Sequence, residues 1–146
     1  MRESGLPFEL RMTGGEEEAF RSLYGDTVSL TPQGDGDLGA RMARVAAPNL
    51  IIGSDCPGVI PELFRAAAGA LEERDVVIGP ATDGGYYLIG MTRPMPFLFE
   101  DMEWSTPRVF ADTLGRLAQR GIAPAILPEL SDVDTGEDLA AWPQFQ

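Results

Sequence analysis

The sequence predicts an α/β fold, and three consecutive stretches carry that prediction. Asn49-Leu50-Ile51-Ile52-Gly53 is a short, continuously apolar run suited to a central strand buried on both faces. Pro61 then opens a helix to about Arg74, with Leu63, Phe64, Ala67 and Leu71 on one face. Asp75-Val76-Val77-Ile78 is the next apolar run. Strand, helix and strand form a βαβ unit whose crossover is long enough to lay its two strands parallel.

The chain has 146 residues, 44% of them apolar, and no apolar run approaches the roughly 20 residues that span a bilayer. One compact soluble domain over residues 1–146 is expected. No signal-peptide pattern opens the chain, and a single Cys argues against a disulfide framework, so the expected location is cytoplasmic. The formal charge is −12, from 23 acidic and 11 basic residues, and every basic residue is Arg. A nucleic-acid partner is therefore not expected, because a phosphate lattice demands a basic surface. Acidity on this scale has two readings, solubility alone or carboxylates neutralised by a divalent cation. The chain lacks His and Lys altogether. That excludes a Ser-His-Asp or Cys-His nucleophile, the usual zinc sites, a P-loop lysine and a Schiff-base amine. Carboxylate and hard-cation chemistry, helped by Arg, is what remains.

From the N-terminus, residues 7–13 alternate with Phe8, Leu10 and Met12 on one face, the pattern of a half-buried strand. Gly14-Gly15 ends it. Glu16 to Tyr24 makes a short helix with acidic residues at its positive end, stopped by Gly25, and Thr27 to Leu30 is a brief strand. In the stretch Thr31 to Met42, Asp35-Gly36-Asp37 invites a calcium-loop reading. Counting from Asp35 puts Gly39 at position five and Ala46 where a bidentate Glu should stand, so an EF-hand is rejected. Asp37 at the N-cap of a helix through about Ala46 is the plain alternative.

Past the central βαβ unit, Gly85 to Met91 reads as another strand, rich in aromatic and branched residues. Thr106-Pro107 has the form of a helix start, and Val109, Phe110, Thr113, Leu114, Leu117 and Ala118 continue at helical spacing until Gly121. Ala123 to Leu127 is the last strand expected. Asp134 with Glu137 three residues on is close to a capping box.

Candidate site residues gather after strand ends, where ligands collect in open α/β sheets. Asp55 follows the run ending at Gly53, and Asp83 follows the run ending at Gly79, inside Pro80-Ala81-Thr82-Asp83-Gly84-Gly85. The paired glycines permit close backbone approach to a ligand. Each carboxylate also has a purely structural reading: Asp55 as a helix cap, Asp83 as the support of a bend. Trp104 beside Glu103 either packs on the core or walls a sugar or base site. Asp132 follows a strand end too.

Five segments, taken in order, carry a resemblance: Gln33 to Arg41, Gly53-Ser54-Asp55-Cys56-Pro57, Gly79 to Gly90, Glu103-Trp104-Ser105-Thr106-Pro107, and Ser131 to Thr135. Together they resemble the rSAM/selenodomain-associated transferase 1 family, glycosyltransferase-like proteins of the GT-A, nucleotide-diphospho-sugar transferase superfamily. The resemblance implies a three-layer α/β/α sandwich with a mostly parallel sheet. It implies a nucleotide or nucleotide-sugar ligand and Mg²⁺ or Mn²⁺ on Asp55, with Asp132 or Asp134 as a second metal contact. Asp83 is then a base toward an acceptor hydroxyl. Gly84, Gly85, Tyr86, Glu103, Trp104, Ser105, Gln33 and Asp37 are the implied substrate-binding residues. The Ser-Asp-x-Pro and Asp-Gly-Gly pair is similar as well to 2-phospholactate guanylyltransferase, which makes nucleotidyl transfer an alternative. The resembling family begins with a further strand and a basic loop that this sequence does not show. A homodimer covering that place, or a non-catalytic dimerising remnant of the fold, is the other expectation.

Overall fold

The computed structural model describes residues 2–133. Its strands and helices are β1 (Glu9–Met12), α1 (Glu17–Tyr24), β2 (Ser29–Pro32), α2 (Leu38–Ala43), β3 (Asn49–Ile52), α3 (Pro61–Glu73), β4 (Val76–Pro80), β5 (Tyr86–Met91), α4 (Val109–Ala118) and β6 (Ala125–Ile126). No helix among the described residues is long and apolar enough to cross a membrane.

The strands form two sheets, a parallel pair β1-β2 and a four-stranded sheet in the order β3-β5-β4-β6. The expected mostly parallel sheet is corrected here. β5 pairs antiparallel with both β3 and β4, and in the larger sheet β4 and β6 are the only neighbours that pair in parallel among the described residues. The reason is the short connection 81–85: a parallel return needs a crossover of a dozen or more residues, so β5 must double back. It takes the place between β3 and β4, which keep the common direction expected of a βαβ unit without being neighbours.

Helices cover both faces of the four-stranded sheet. On one side Val76, Ile78, Ile89 and Met91 join Leu98, Phe99, Met42 of α2 and Leu117 of α4. Val77 and Leu88 point the other way, onto Ala67 of α3 and Cys56. All five residues of β4 are buried, which is what a central strand with apolar residues at every position allows. The βαβ helix presents the predicted face, with Phe64 and Ala67 buried. By contrast, α1 buries none of its residues, and its Leu23 is 78% exposed.

Several ends move from their expected places. Asp37 is the N-cap of α2, accepting the Ala40 amide at 2.8 Å, but the helix stops at Ala43. Thr106-Pro107 lies in the turn before α4 rather than starting it, because the Thr106 hydroxyl donates backwards to the Glu103 carbonyl (2.9 Å). Only Ala125–Ile126 of the last expected strand is paired as a strand; a further bridge, Ala81 with Leu130, carries the parallel contact onward.

Candidate functional site at the strand tips

The loop after β4 is built by its own residues. The Asp83 carboxylate accepts the Gly85 amide at 2.8 Å, while the Ala81 amide donates to the Gly85 carbonyl and the Gly84 amide to the Ala81 carbonyl. Gly84 has φ +89°, a left-handed conformation that suits glycine. Its carbonyl accepts the Phe110 amide (2.9 Å), tying the loop to the start of α4. The structural reading of Asp83, supporting the bend, is thus met in full.

Around that loop lies one of two groups of predicted residues. Gly84 stacks against Pro107, and Tyr86 meets Trp104 edge to face with ring centroids 6.5 Å apart. Trp104 also stacks on Phe99 and presses on Gly39 of α2, so its ring closes the core as much as it walls a site. Tyr86 faces inward: burial pushes its hydroxyl pKa up, and the Thr113 hydroxyl and the Arg116 charge offset only part of that. Ser105 adopts φ +59°, and exposed Glu103 lies 3.9 Å from the Arg108 guanidinium. Gln33 is apart from this group, its side-chain amide donating to the Arg11 carbonyl (3.1 Å) between β1 and β2.

The second group forms where residues 127–133 cross the tips of the sheet. Leu127 donates to Ile78 and Leu130 to Pro80, Thr82 donates back to Leu130, and the Val133 amide reaches the Asp55 carbonyl at 2.8 Å. This strap therefore runs from β6 to the loop after β3. Asp55 does not cap α3, whose N-cap is Ile60. Under the strap the buried Cys56 thiol donates to the Ser131 carbonyl (3.3 Å). Burial raises its pKa, a hydrogen bond with the Gly58 backbone offsets part of that, and the charges of Asp132 and Asp55 add smaller upward pushes. Asp134 lies outside the described residues.

Asp55 and Asp83 are thus brought to the same edge of the sheet but into different groups, joined through Thr82, whose hydroxyl is 3.4 Å from that of Ser131. Two open clefts lie elsewhere, and neither is lined by Asp55 or Asp83. One of about 370 Å³ sits beside Glu73, Asp75 and Gly121. The other, of about 480 Å³, follows α4 from Arg108 to Gln119 and takes in Glu103. No group of three or more acidic or sulfur side chains among the described residues could cage a metal ion. Asp55 and Asp132, on segments joined by the Val133-to-Asp55 backbone bond, are the carboxylates that would hold Mg²⁺ or Mn²⁺, a cation that takes only one or two protein carboxylates where a ligand's phosphates supply the rest.

One residue of β5 departs from the regular strand that its sequence suggests. Gly79 pairs with Leu88 but Pro80 with Tyr86, so Tyr87 is an extra residue in β5, a bulge. The only sequence signal was Gly79, a glycine inside a strand run, which often marks a bulge or a close approach.

Residues 1–106 match the family described as "Uncharacterized protein conserved in bacteria (DUF2064)". The chain belongs to this family. Among solved structures, the chain is similar to one from Desulfovibrio desulfuricans G20 described as a "putative nucleotide-diphospho-sugar transferase". The two share 31% sequence identity with a TM-score of 0.75, over 84% of this chain and 58% of that one. This DUF2064 chain thus spans little more than half the length of its solved neighbour. No curated protein matches it.

Proposed function

We propose that this chain is a metal-dependent glycosyltransferase-like protein that binds a nucleotide-diphospho-sugar at the tips of β3, β4 and the strap. The observation that carries the reading is the likeness, at 31% identity, to a chain described as a transferase of that class. The finer assignment, to the rSAM/selenodomain-associated transferase 1 family of GT-A fold, rests on the five ordered motifs.

In this reading Asp55 and Asp132 would hold Mg²⁺ or Mn²⁺, with Asp134 as the further ligand the resemblance suggests. The ion, when bound, supplies positive charge to the leaving nucleotide. Glu103, Trp104, Ser105 and the Gly84-Gly85 backbone form the wall beside the sugar. Tyr86 supports that wall by packing on Trp104, and Asp37 by capping the helix whose Gly39 meets Trp104, whereas Gln33, the other substrate-binding residue the resemblance implies, stands apart from it on the smaller sheet. Asp83 takes the proton of an acceptor hydroxyl, and its bond to Gly85 fixes the direction in which it does so. A cytoplasmic location and small-molecule rather than nucleic-acid ligands accord with one buried Cys and a charge of −12.

Calorimetric titration of nucleoside diphosphates and nucleotide-sugars, with and without Mn²⁺, tests the reading. Saturable binding that requires the ion is expected; heats indistinguishable from dilution across the series would remove it.

A second reading is favoured by the division of the strands into two sheets, which leaves β-edges for another chain. It is a dimerising protein that keeps the fold without turnover. Sedimentation equilibrium separates the two: a tight dimer indifferent to nucleotides belongs to the second reading, a nucleotide-binding monomer to the first.

A further inference from the structure

The extra residue in β5 is aimed with unusual care. Regular alternation would put Tyr87 on the same face as Ile89 and Met91, in the layer of α4. The bulge turns it over, and its ring is buried among Cys56, Val77 and Leu88 in the layer of α3, 3% exposed. Room for the ring exists only because residue 79 is glycine, since a Cβ there would lie 2.3 Å from the tyrosine's Cζ. The hydroxyl so placed donates to the Pro128 carbonyl at 3.0 Å. At its other end the same residue's carbonyl accepts the Gly53 amide, also at 3.0 Å. One residue therefore grips both segments that carry the candidate metal ligands, 53–55 and 128–133.

We propose that Tyr87 is a positioning residue, fastening the strap through Pro128 so that Asp132 stands beside Asp55. This rests on the metal-site reading above. The hydroxyl touches neither carboxylate; it acts by closing the strap at its root, while the Val133-to-Asp55 bond closes it at its tip. Supporting groups at this remove from a metal commonly tune affinity by fixing the ligands that do touch it.

Tyr87→Phe isolates the claim, since it keeps the ring over Gly79 and the Gly53 bond and removes only the donor. Two measurements are made on the full chain. In amide hydrogen exchange, the variant's Leu130 and Val133 amides are expected to exchange about tenfold faster, with Val77 and Leu88 unchanged. In Mn²⁺ titrations followed by electron paramagnetic resonance, the variant is expected to bind the ion about tenfold more weakly than wild type, with Asp55→Asn as the control that loses it. Unchanged exchange in the strap overturns the positioning role whatever the ion does. A uniform rise across all four amides overturns it too, marking Tyr87 as core packing only. Wild type that takes up no Mn²⁺ overturns the metal-site reading, and the proposal with it. Leu130 and Val133 loosened without any change in Mn²⁺ affinity would show that the strap does not serve the ion, and would also overturn it.

Discussion

Gly84 and Pro107 are in backbone contact: a Cβ on Gly84 would lie 2.3 Å from the Pro107 carbonyl oxygen and 2.6 Å from its Cα. The loop after β4 and the turn before α4 consequently hold each other. Gly84 also has φ +89°, so a side chain there meets both a clash with backbone, which cannot rotate away, and a disfavoured conformation. Gly84→Ala should destabilise the fold by about 2–4 kcal/mol in urea unfolding. A loss below about 0.5 kcal/mol would mean the two segments part easily.

Asp83 offers a cleaner separation of structure from chemistry. Its carboxylate accepts the Gly85 amide, and the side-chain oxygen of Asn can do the same. Asp83→Asn should therefore leave stability unchanged, whereas Asp83→Ala should cost about 1 kcal/mol. If Asp83 is the base of a transfer reaction, both variants lose turnover alike. Asn retaining full turnover would confine the residue to its bend.

Asp55 is exposed and meets the strap through its backbone carbonyl, which a side-chain change leaves in place. Asp55→Asn should thus abolish Mn²⁺-dependent nucleotide binding, by about 100-fold or more, while stability shifts by less than about 0.5 kcal/mol. Equal binding by the variant in the same calorimetric titration would take Asp55 out of the site.

Tyr86 carries the pH prediction. Its buried hydroxyl finds no partner at full hydrogen-bonding geometry, and burial raises its pKa in the folded state. Above about pH 10 the unfolded chain gives up a tyrosine proton that the folded chain keeps, so stability is intact below that pH and falls as pH rises past it. Tyr86→Phe should flatten that alkaline loss and be neutral or stabilising by up to about 1 kcal/mol at pH 7. Unfolding midpoints from pH 7 to 11 check both; a variant as alkali-sensitive as wild type would place the effect in another group.

Much of this architecture was legible because its causes are local. Val76 to Ile78 reads as a buried strand and is one, and Asp37 caps the helix that follows it; Asn49 to Ile52 reads as a central strand buried on both faces, but among the described residues β3 is an edge strand with a neighbour on one side only, and all four of its residues are half-buried. Strand order was harder, because a five-residue connection says that β5 turns back but not which edge it joins. Sites showed the same divide. Asp55 and Asp132 were visible as carboxylates after strands, yet the strap that links them is fixed by backbone bonds from Leu130 and Val133, which leave no mark on residue type. Tyr87 was hidden for a related reason: a bulge changes the face of a residue without changing its name.

The two sheets share no strand ladder among the described residues, and what ties β1, β2 and their flanks to the rest includes the Arg41 bond to Thr13 and the Arg44 bond to Gln33. A jolt in one half has few stiff levers by which to reach the other. Sequence drift around the bare helix α1 would then be heard faintly, if at all, at the acids near Cys56, leaving that half of the molecule free to take on new neighbours without retuning the chemistry.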